Sequence, residues 1–506
     1  MAAKNRPEVA ATTVPSVERP PTGIIADNAP FFSMRIVPLN GTRMAHQQWP
    51  TTMVDESGRV GAPYAIGPLS PNTKGSPRQR SINLTLSARG IAAVQAIDNS
   101  LVERLLHNAV PLRGRMVHRL DGNATRQQYD RGGHCLYSIE RGLLNTILLE
   151  AAGSVLNIGI QFLHRVQSVD FISNTVHLSN LVSGQAFDDR FDLCIGADGS
   201  NSVIRHHLMV ATQMEYSQHY ISHEYVEIRL PHGMDTSGHN TFLLDADHLH
   251  VWPRGDFTMV AMPNKNKTFT CALFAPKTIF DALQYPDTLI PFFKSHFPDL
   301  LSLLGEKRLL LEFQNNPRSL LITTKANPYH KGAVIIIGDA AHSMVPFYGQ
   351  GLNCALEDVR ILSILLRREK DGHNPSVIRR VLNDYSESRH EDLVAICDLA
   401  MDSHLKMRHT VATWSYMIRS FIDNILYGIT ETRSSVDLSE SIFGPEVPSG
   451  WIPLYSMVSF RPDISYSAAK KKAARQEHLV DSVAAALGVL GLGYILYSII
   501  NLNRLF

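Results

Sequence analysis

The stretch that most narrows the choice of fold is IIIGDAAHSMVPFYGQG, residues 335–351. An apolar run stops at Gly338 and is followed at once by Asp339. A loop holding His342, Pro346, Gly349 and Gly351 then leads into a helical pattern beginning at Leu352. A buried strand ending on a carboxylate, a glycine loop and a helix start together form the kind of crevice in which open α/β sheets bind polar cofactors. There Asp339 can accept hydrogen bonds from sugar or ribitol hydroxyls. The glycines admit a flat ligand close to backbone, and the first N–H groups at Leu352 and Asn353 carry partial positive charge suited to an anionic ring. Taken singly, each residue could equally cap a helix or make a turn. The combined spacing favours the cofactor.

The surrounding pattern extends this α/β reading. FDLCIGADGSNSVIRHHL (191–208) is a strand, a tight turn and a helix start, with Asp198 at the strand end. That carboxylate suits a ribose or a pyrophosphate-bound water, although Asp-Gly is also a common turn. LYSIERGLLNTILLEAAG (136–153) predicts a strand, then a helix with Leu143, Leu144, Ile147 and Leu148 inward. Arg141 at its start is placed either to pair with a phosphate or to sit in solvent. QRSINLTLSARGIAAVQAI (79–97) predicts an extended piece and an amphipathic helix with Ile91, Val94 and Ile97 on one side, and RGRMVHRL (113–120) alternates like a strand. YVEIRL, LHVWP, FTMVAMP and FTCALF form a run of strands that argues for a mostly antiparallel sheet, and long helical patterns cover 352–368, 375–410 and 411–428. The domain reading is therefore a cofactor domain in two parts, 79–205 and 326–375, separated by a substrate-domain sheet at 206–325 and followed by a helical region at 376–478. Residues 1–78 hold eleven of the 27 prolines and no sustained period, so they read as a divergent, loop-rich segment with one short strand near MRIVPL.

Composition excludes several function classes. With 48 basic and 47 acidic residues the net charge is +1, which gives no field for nucleic acid. The five cysteines are scattered and match neither a disulfide framework nor a CxxC metal pair, so no metal site is expected and a reducing compartment fits. The His206–His207 pair reads as surface or packing. No secretory signal opens the chain. From 483 to 500 runs VAAALGVLGLGYILYSII, 18 uncharged residues that as a helix would rise about 27 Å, near the thickness of a hydrocarbon core. Lys470, Lys471, Lys472 and Arg475 precede it and Arg504 follows, a bias that places the large domain in the cytosol. A membrane anchor is the expectation, a buried C-terminal helix the alternative.

RSINLTLSARG, RGRMVH, GADGSNSVIR, LHVWPRGDFTMVAMPNKNKTFTCALF, GDAAHSMVPFYGQGLNCALED and IPLYSMVSF closely resemble the kynurenine 3-monooxygenase family of flavoprotein aromatic hydroxylases, over about residues 79–506. The Asp198 and Asp339 motifs are common to the wider hydroxylase class, whereas RSINLTL and the tryptophan and asparagine stretches are more specific. The resemblance implies the FAD-dependent aromatic hydroxylase fold, with FAD as cofactor and NADPH and O2 as co-substrates. It further implies hydroxylation of the kynurenine ring and, from eukaryotic members, a mitochondrial outer-membrane location facing the cytosol. The cofactor carries the oxygen chemistry, so no catalytic side-chain nucleophile and no metal are implied. By position, Arg80, Thr85, Arg141, Val166, Asp198, Asp339, Leu352 and Asn353 resemble the FAD contacts, Thr85 standing where the family usually has alanine. Arg115 resembles the arginine that grips the substrate carboxylate in bidentate fashion. Tyr129 and Tyr455 resemble its hydroxyl partners, and Phe347 and Tyr348 line the ring pocket.

Two departures qualify the resemblance. Ser403-His404 stands where the family usually has Asn-Tyr; the asparagine contacts substrate there, so a hydrogen bond is lost or bridged by water. Residues 1–78 also contain no GxGxxG fingerprint, which implies an incomplete Rossmann-type domain, short of one strand of its parallel sheet and the covering helix. Two alternatives stay open: a noncatalytic, FAD-deficient binding protein at the membrane, and a hydroxylase of another anthranilate-like ring.

Overall fold

The computed structural model describes residues 23–27, 32–36, 83–369, 374–409, 414–430, 438, 440–444 and 446–502, with side chains left undescribed in 23–27, 32–36, 405–417, 420 and 487–502. Its first layer is a six-stranded sheet in the order His330–Lys331, Val334–Ile336, Leu193–Ala197, Gly23–Asp27, Phe32–Ile36, Ile158–Phe162. The three central strands are parallel, Ile195 facing Ile335 on one side and Ile25 on the other. Val334–Ile336 is buried throughout, whereas Leu193–Ala197 is buried at every second residue.

This sheet corrects one expectation. The strand position thought to be lost is filled by Gly23–Asp27, and the next by Phe32–Ile36, which returns antiparallel. Only residues 28–31 lie between the two strands, too few for the crossover helix that a parallel return would need. The strand is kept, with a hairpin in place of the strand–helix–strand unit.

The second layer is a seven-stranded sheet ordered Ser319–Asn327, Glu215–Leu230, Phe269–Pro276, Phe257–Pro263, His248–Arg254, Gly114–His118, Ala124–Gln128. It is antiparallel except where His248–Arg254 runs alongside Gly114–His118. One face packs Trp252, Met259, Phe269 and Leu273 against helices Lys277–Ala282, Pro286–His296, Pro298–Leu304 and Glu306–Asn315. The sequence reading of 206–325 as a sheet-rich region missed these four helices.

Helices Gly351–Arg368, Pro375–His409 and Trp414–Thr430 fall where the long periodic patterns placed them. In the helix Ala88–Gln95, Val94 is buried as expected, but Ile97 lies beyond the helix end and is exposed. Leu144 and Ile147 are buried in the helix Arg141–Gly153, with Leu143 and Leu148 partly buried beside them.

The last helix, Tyr466–Leu502, is continuous over 37 residues. Its basic start is tied to the body: Lys470 pairs with Asp398 at 2.7 Å, and Lys471 pairs with Glu391. Among the described residues no helix is long and apolar enough to cross a membrane. Most side chains of the expected span, those from 487 on, lie outside the described residues.

Candidate active site

The strand Val334–Ile336 delivers Gly338 and Asp339 to the edge of the sheet. Gly338 has φ +58°, a conformation that side chains disfavour, and this lets the chain turn directly from strand into the short helix Asp339–His342. Gly338, Ala340 and Ala341 are buried, whereas Asp339 reaches solvent. Desolvation by its packed surroundings raises the Asp339 carboxyl above the ordinary aspartate range, against the opposing pull of His342 and Arg141. Arg141 is exposed at the first turn of its helix.

The glycine loop is held from two sides. Gly349 has φ +68°, and a Cβ there would stand 2.6 Å from the Thr85 hydroxyl. The Gly349 carbonyl accepts from Thr85 Oγ1 at 3.1 Å and from Asn353 Nδ2 at 2.9 Å. Fully buried Asn353 also donates to the Thr85 carbonyl at 2.8 Å and accepts from Ser87 N–H at 2.8 Å. Its side chain therefore sews the loop to the strand Asn83–Leu86. No side chain caps the helix Gly351–Arg368, so its first N–H groups, Leu352 and Asn353 among them, have no intrahelical partner. Leu352 itself is half-buried against Val94 and its neighbours.

Asp198 supports the start of the next helix, whose N-cap is Ser202. Its carboxylate accepts from the Ser202 hydroxyl and from the Ile204 N–H at 3.0 Å, and burial raises its pKa against these bonds. Arg205 then crosses to the Asp339 turn, donating to the Ala340 carbonyl at 2.7 Å. Asp198 thus shapes the turn from within. Val166 is half-buried on a meander, opposite Leu178. Arg80 lies outside the described residues.

A second group assembles where the two layers meet. Arg115, on the strand Gly114–His118, lies 5.5 Å from the Tyr129 ring centre and 5.2 Å from that of Tyr455. The two tyrosines stack at 5.2 Å, and Tyr348 stacks on Tyr455 at 5.6 Å, one residue from Gly349. Burial raises the Tyr129 hydroxyl far above its usual range, so it stays a neutral donor beside the guanidinium. Phe347 is buried against Phe274 at 4.9 Å and stacks on His404 at 4.4 Å, while His404 meets His223 edge-on at 4.8 Å. Ser403 donates its hydroxyl to the Phe347 carbonyl at 3.2 Å. Arg115, Tyr129, Phe347, Tyr348, Ser403 and Tyr455, about 340 residues apart at the extremes of the chain, are brought into one connected wall.

Sequence reasoning missed the buried charges behind the Asp339 turn. Asp358 accepts from Gly338 N–H at 3.1 Å and from His342 Nε2, and Arg389 Nε reaches it at 3.0 Å. Glu357 pairs with Arg89 and with Arg389, each at 2.7 Å. The acidic pair in GLNCALED, on the inward side of an amphipathic helix, was the signal available. His342, Cys354 and Asp358 have ligand atoms within 4.8 Å of one another. Arg389 donates into this group at Cys354 Sγ (3.5 Å) as well as at Asp358, which makes it an ion-pair network rather than a cation site.

An exposed carboxylate at a strand end, a bare glycine loop and an uncapped helix start fit a flavin, and a cluster of aromatic rings and one arginine lies alongside. This two-layer arrangement defines a flavin-dependent aromatic hydroxylase. The FAD binding domain family matches residues 92–400. Kynurenine 3-monooxygenase of Yarrowia lipolytica is 37% identical over 429 residues, spanning 83% of this chain and 87% of that one. That of Candida albicans is 38% identical over 428 residues (84% and 87%), and that of Anopheles gambiae 36% over 431 (84% and 83%). Among solved structures, Klebsiella pneumoniae HpxO complexed with FAD and uric acid shares the fold at TM-score 0.52 and 19% identity, covering 69% of this chain and 88% of its own. The chain belongs to the kynurenine 3-monooxygenase family.

Proposed function

We propose that the protein converts L-kynurenine to 3-hydroxykynurenine with NADPH and O2, one oxygen atom entering the ring and the other leaving as water. The observation that carries this reading is the Arg115–Tyr129–Tyr455–Tyr348 cluster ending beside Gly349. It offers an amino acid's carboxylate one fixed cation and two phenols, and leads its aromatic end to the glycine loop. FAD, when bound, supplies the reductive activation of oxygen. Asp339, with Arg141 near it, would hold the hydroxylated part of the cofactor, and the N–H groups of Leu352 and Asn353 its ring. Thr85 acts by fixing Gly349, and Asp198 by fixing the turn that Arg205 ties to Ala340. Phe347, Phe274 and Tyr348 keep water from the ring pocket.

The test is FAD-loaded full-length protein with NADPH in air. Kynurenine is expected to accelerate NADPH oxidation and to yield hydroxylated product in step. A protein that binds no FAD, or whose NADPH oxidation ignores kynurenine, would refute the reading. Because Ser403 spends its hydroxyl on the Phe347 carbonyl, a related anthranilate-like substrate is the second reading. A substrate panel on the parent and on Ser403→Asn separates the two.

The run 483–500 we propose as a membrane anchor, supported by its uncharged length and by the basic residues before it. Full-length protein expressed in a eukaryotic cell is expected in the mitochondrial membrane fraction after alkaline carbonate extraction. Release into the supernatant would reject the anchor.

A further inference from the structure

The two tyrosines that flank Arg115 belong to different parts of the chain, and their spacing depends on something that ties those parts together. Tyr129 directly follows the edge strand Ala124–Gln128, while Tyr455 is the second residue of the helix Leu454–Phe460. Their immediate neighbours meet. Asp130, 7% exposed, accepts from the hydroxyl of Ser456, 2% exposed, at 3.0 Å through Oδ1. Its Oδ2 accepts from Gly132 N–H at 2.8 Å and hydrogen-bonds His134 Nδ1 at 2.6 Å. The His134 ring stacks at 5.5 Å on Phe460, at the far end of the same helix.

We propose that Asp130 is a positioning residue: with Ser456 it clamps the Tyr129 and Tyr455 backbones side by side and so sets the width of the slot that receives the carboxylate end of the substrate. Each tyrosine is one residue from the clamp, so a shift of the Asp130–Ser456 bond is passed to both rings without a flexible side chain between. Arg115 has its own support, the strand pairing that places it opposite Leu249 and Gln127. The arginine therefore stays in place when the clamp is loosened, and only the hydroxyl partners move. A buried carboxylate with three donors on two elements has little freedom to rearrange. The expected consequence is selective: recognition of the amino-acid end suffers, while Phe347, which packs on Phe274 and His404 rather than on Tyr455, stays in place.

This inference rests on the proposed role of Arg115, Tyr129 and Tyr455 toward kynurenine. Its test uses the full-length, FAD-loaded protein and the variants Ser456→Ala, Ser456→Thr and Asp130→Asn. Ser456→Ala and Asp130→Asn are expected to raise KM for kynurenine about tenfold, with kcat at saturation within about twofold of the parent and FAD content unchanged. Ser456→Thr, which keeps the hydroxyl, should restore the parent KM. Binding of 2-aminoacetophenone, which has the ring and ketone but no amino-acid end, should be the same in all four proteins. An unchanged kynurenine KM in Ser456→Ala overturns the clamp, as does a parallel loss of 2-aminoacetophenone binding and FAD, which would mark a purely structural contact. A parent protein that ignores kynurenine refutes the proposed function instead, and the two failures are thereby distinct. Should Asp130→Asn fail to fold, Ser456→Ala and its threonine counterpart decide the matter alone.

Discussion

Arg115→Ala is expected to lower kcat/KM for kynurenine by about 30- to 4,000-fold, with flavin content unchanged. Truncating one partner of a buried, hydrogen-bonded charge pair costs about 2–5 kcal/mol, and each 1.4 kcal/mol is about a factor of ten. The geometry places the loss in recognition of the carboxylate. Arg115 is half-buried on an inner strand, within 5.5 Å of two aromatic ring centres, so water can replace the missing guanidinium only poorly. The two phenols that remain are neutral and cannot balance a carboxylate. Arg115→Lys should recover a part of the loss through charge, but not the planar two-point contact. Steady-state kinetics decide the assignment. A large rise in KM is expected; a fall in kcat at saturating kynurenine with KM unchanged would instead place Arg115 in the reaction step.

How much of this was legible beforehand follows from the range over which each feature is specified. The Asp339 turn could be read because strand, glycines and helix start lie within 17 consecutive residues, and the three long helices because each repeats its period over several turns. The four helices after residue 276 were missed although their starts are marked. Pro286 and Pro298 each stand at the first position of a helix, where the missing N–H costs nothing. Ile97 was placed inward because the period was carried past Gln95, where the helix ends before Asp98 caps the next one through Ser100 N–H. Asp130 could not be paired with Ser456, 326 positions away, from spacing alone. Of the hairpin, Phe32–Ile36 overlaps the short strand expected near MRIVPL, whereas Gly23–Asp27 was not foreseen. A glycine fingerprint is a local sequence signal, while a sheet requires only that the strand beside Leu193–Ala197 be filled.

Arg389→Met is expected to cost about 3–5 kcal/mol of stability at neutral pH, the range for breaking a buried ion pair by removing one partner. Arg389 is 1% exposed and reaches Glu357, Asp358 and Asp392 on two helices, while Arg89 and Arg360 supply the remaining positive charge around Glu357. Burial alone would push both acidic side chains of the Gly351–Arg368 helix up. Arg89, Arg389 and Arg360 outweigh that penalty at Glu357, and His342 with Arg389 outweighs it at Asp358, so both carboxyls titrate below their ordinary range. A carboxyl depressed in the fold contributes stability above its unfolded pKa of about 4 and loses it as pH falls through the folded value. The deficit of Arg389→Met should accordingly be full at pH 7 and shrink as pH falls through the variant's Glu357 and Asp358 titrations, which the loss of Arg389 moves upward from the parent's. Denaturant titrations of parent and variant across this window measure it. Function should follow stability, because Asp358 holds the Gly338 N–H and His342 that shape the Asp339 turn, and the variant should lose FAD on gel filtration where the parent retains it. A variant as stable as the parent at pH 7, with its flavin in place, would show that the network is filler behind the turn rather than what holds it.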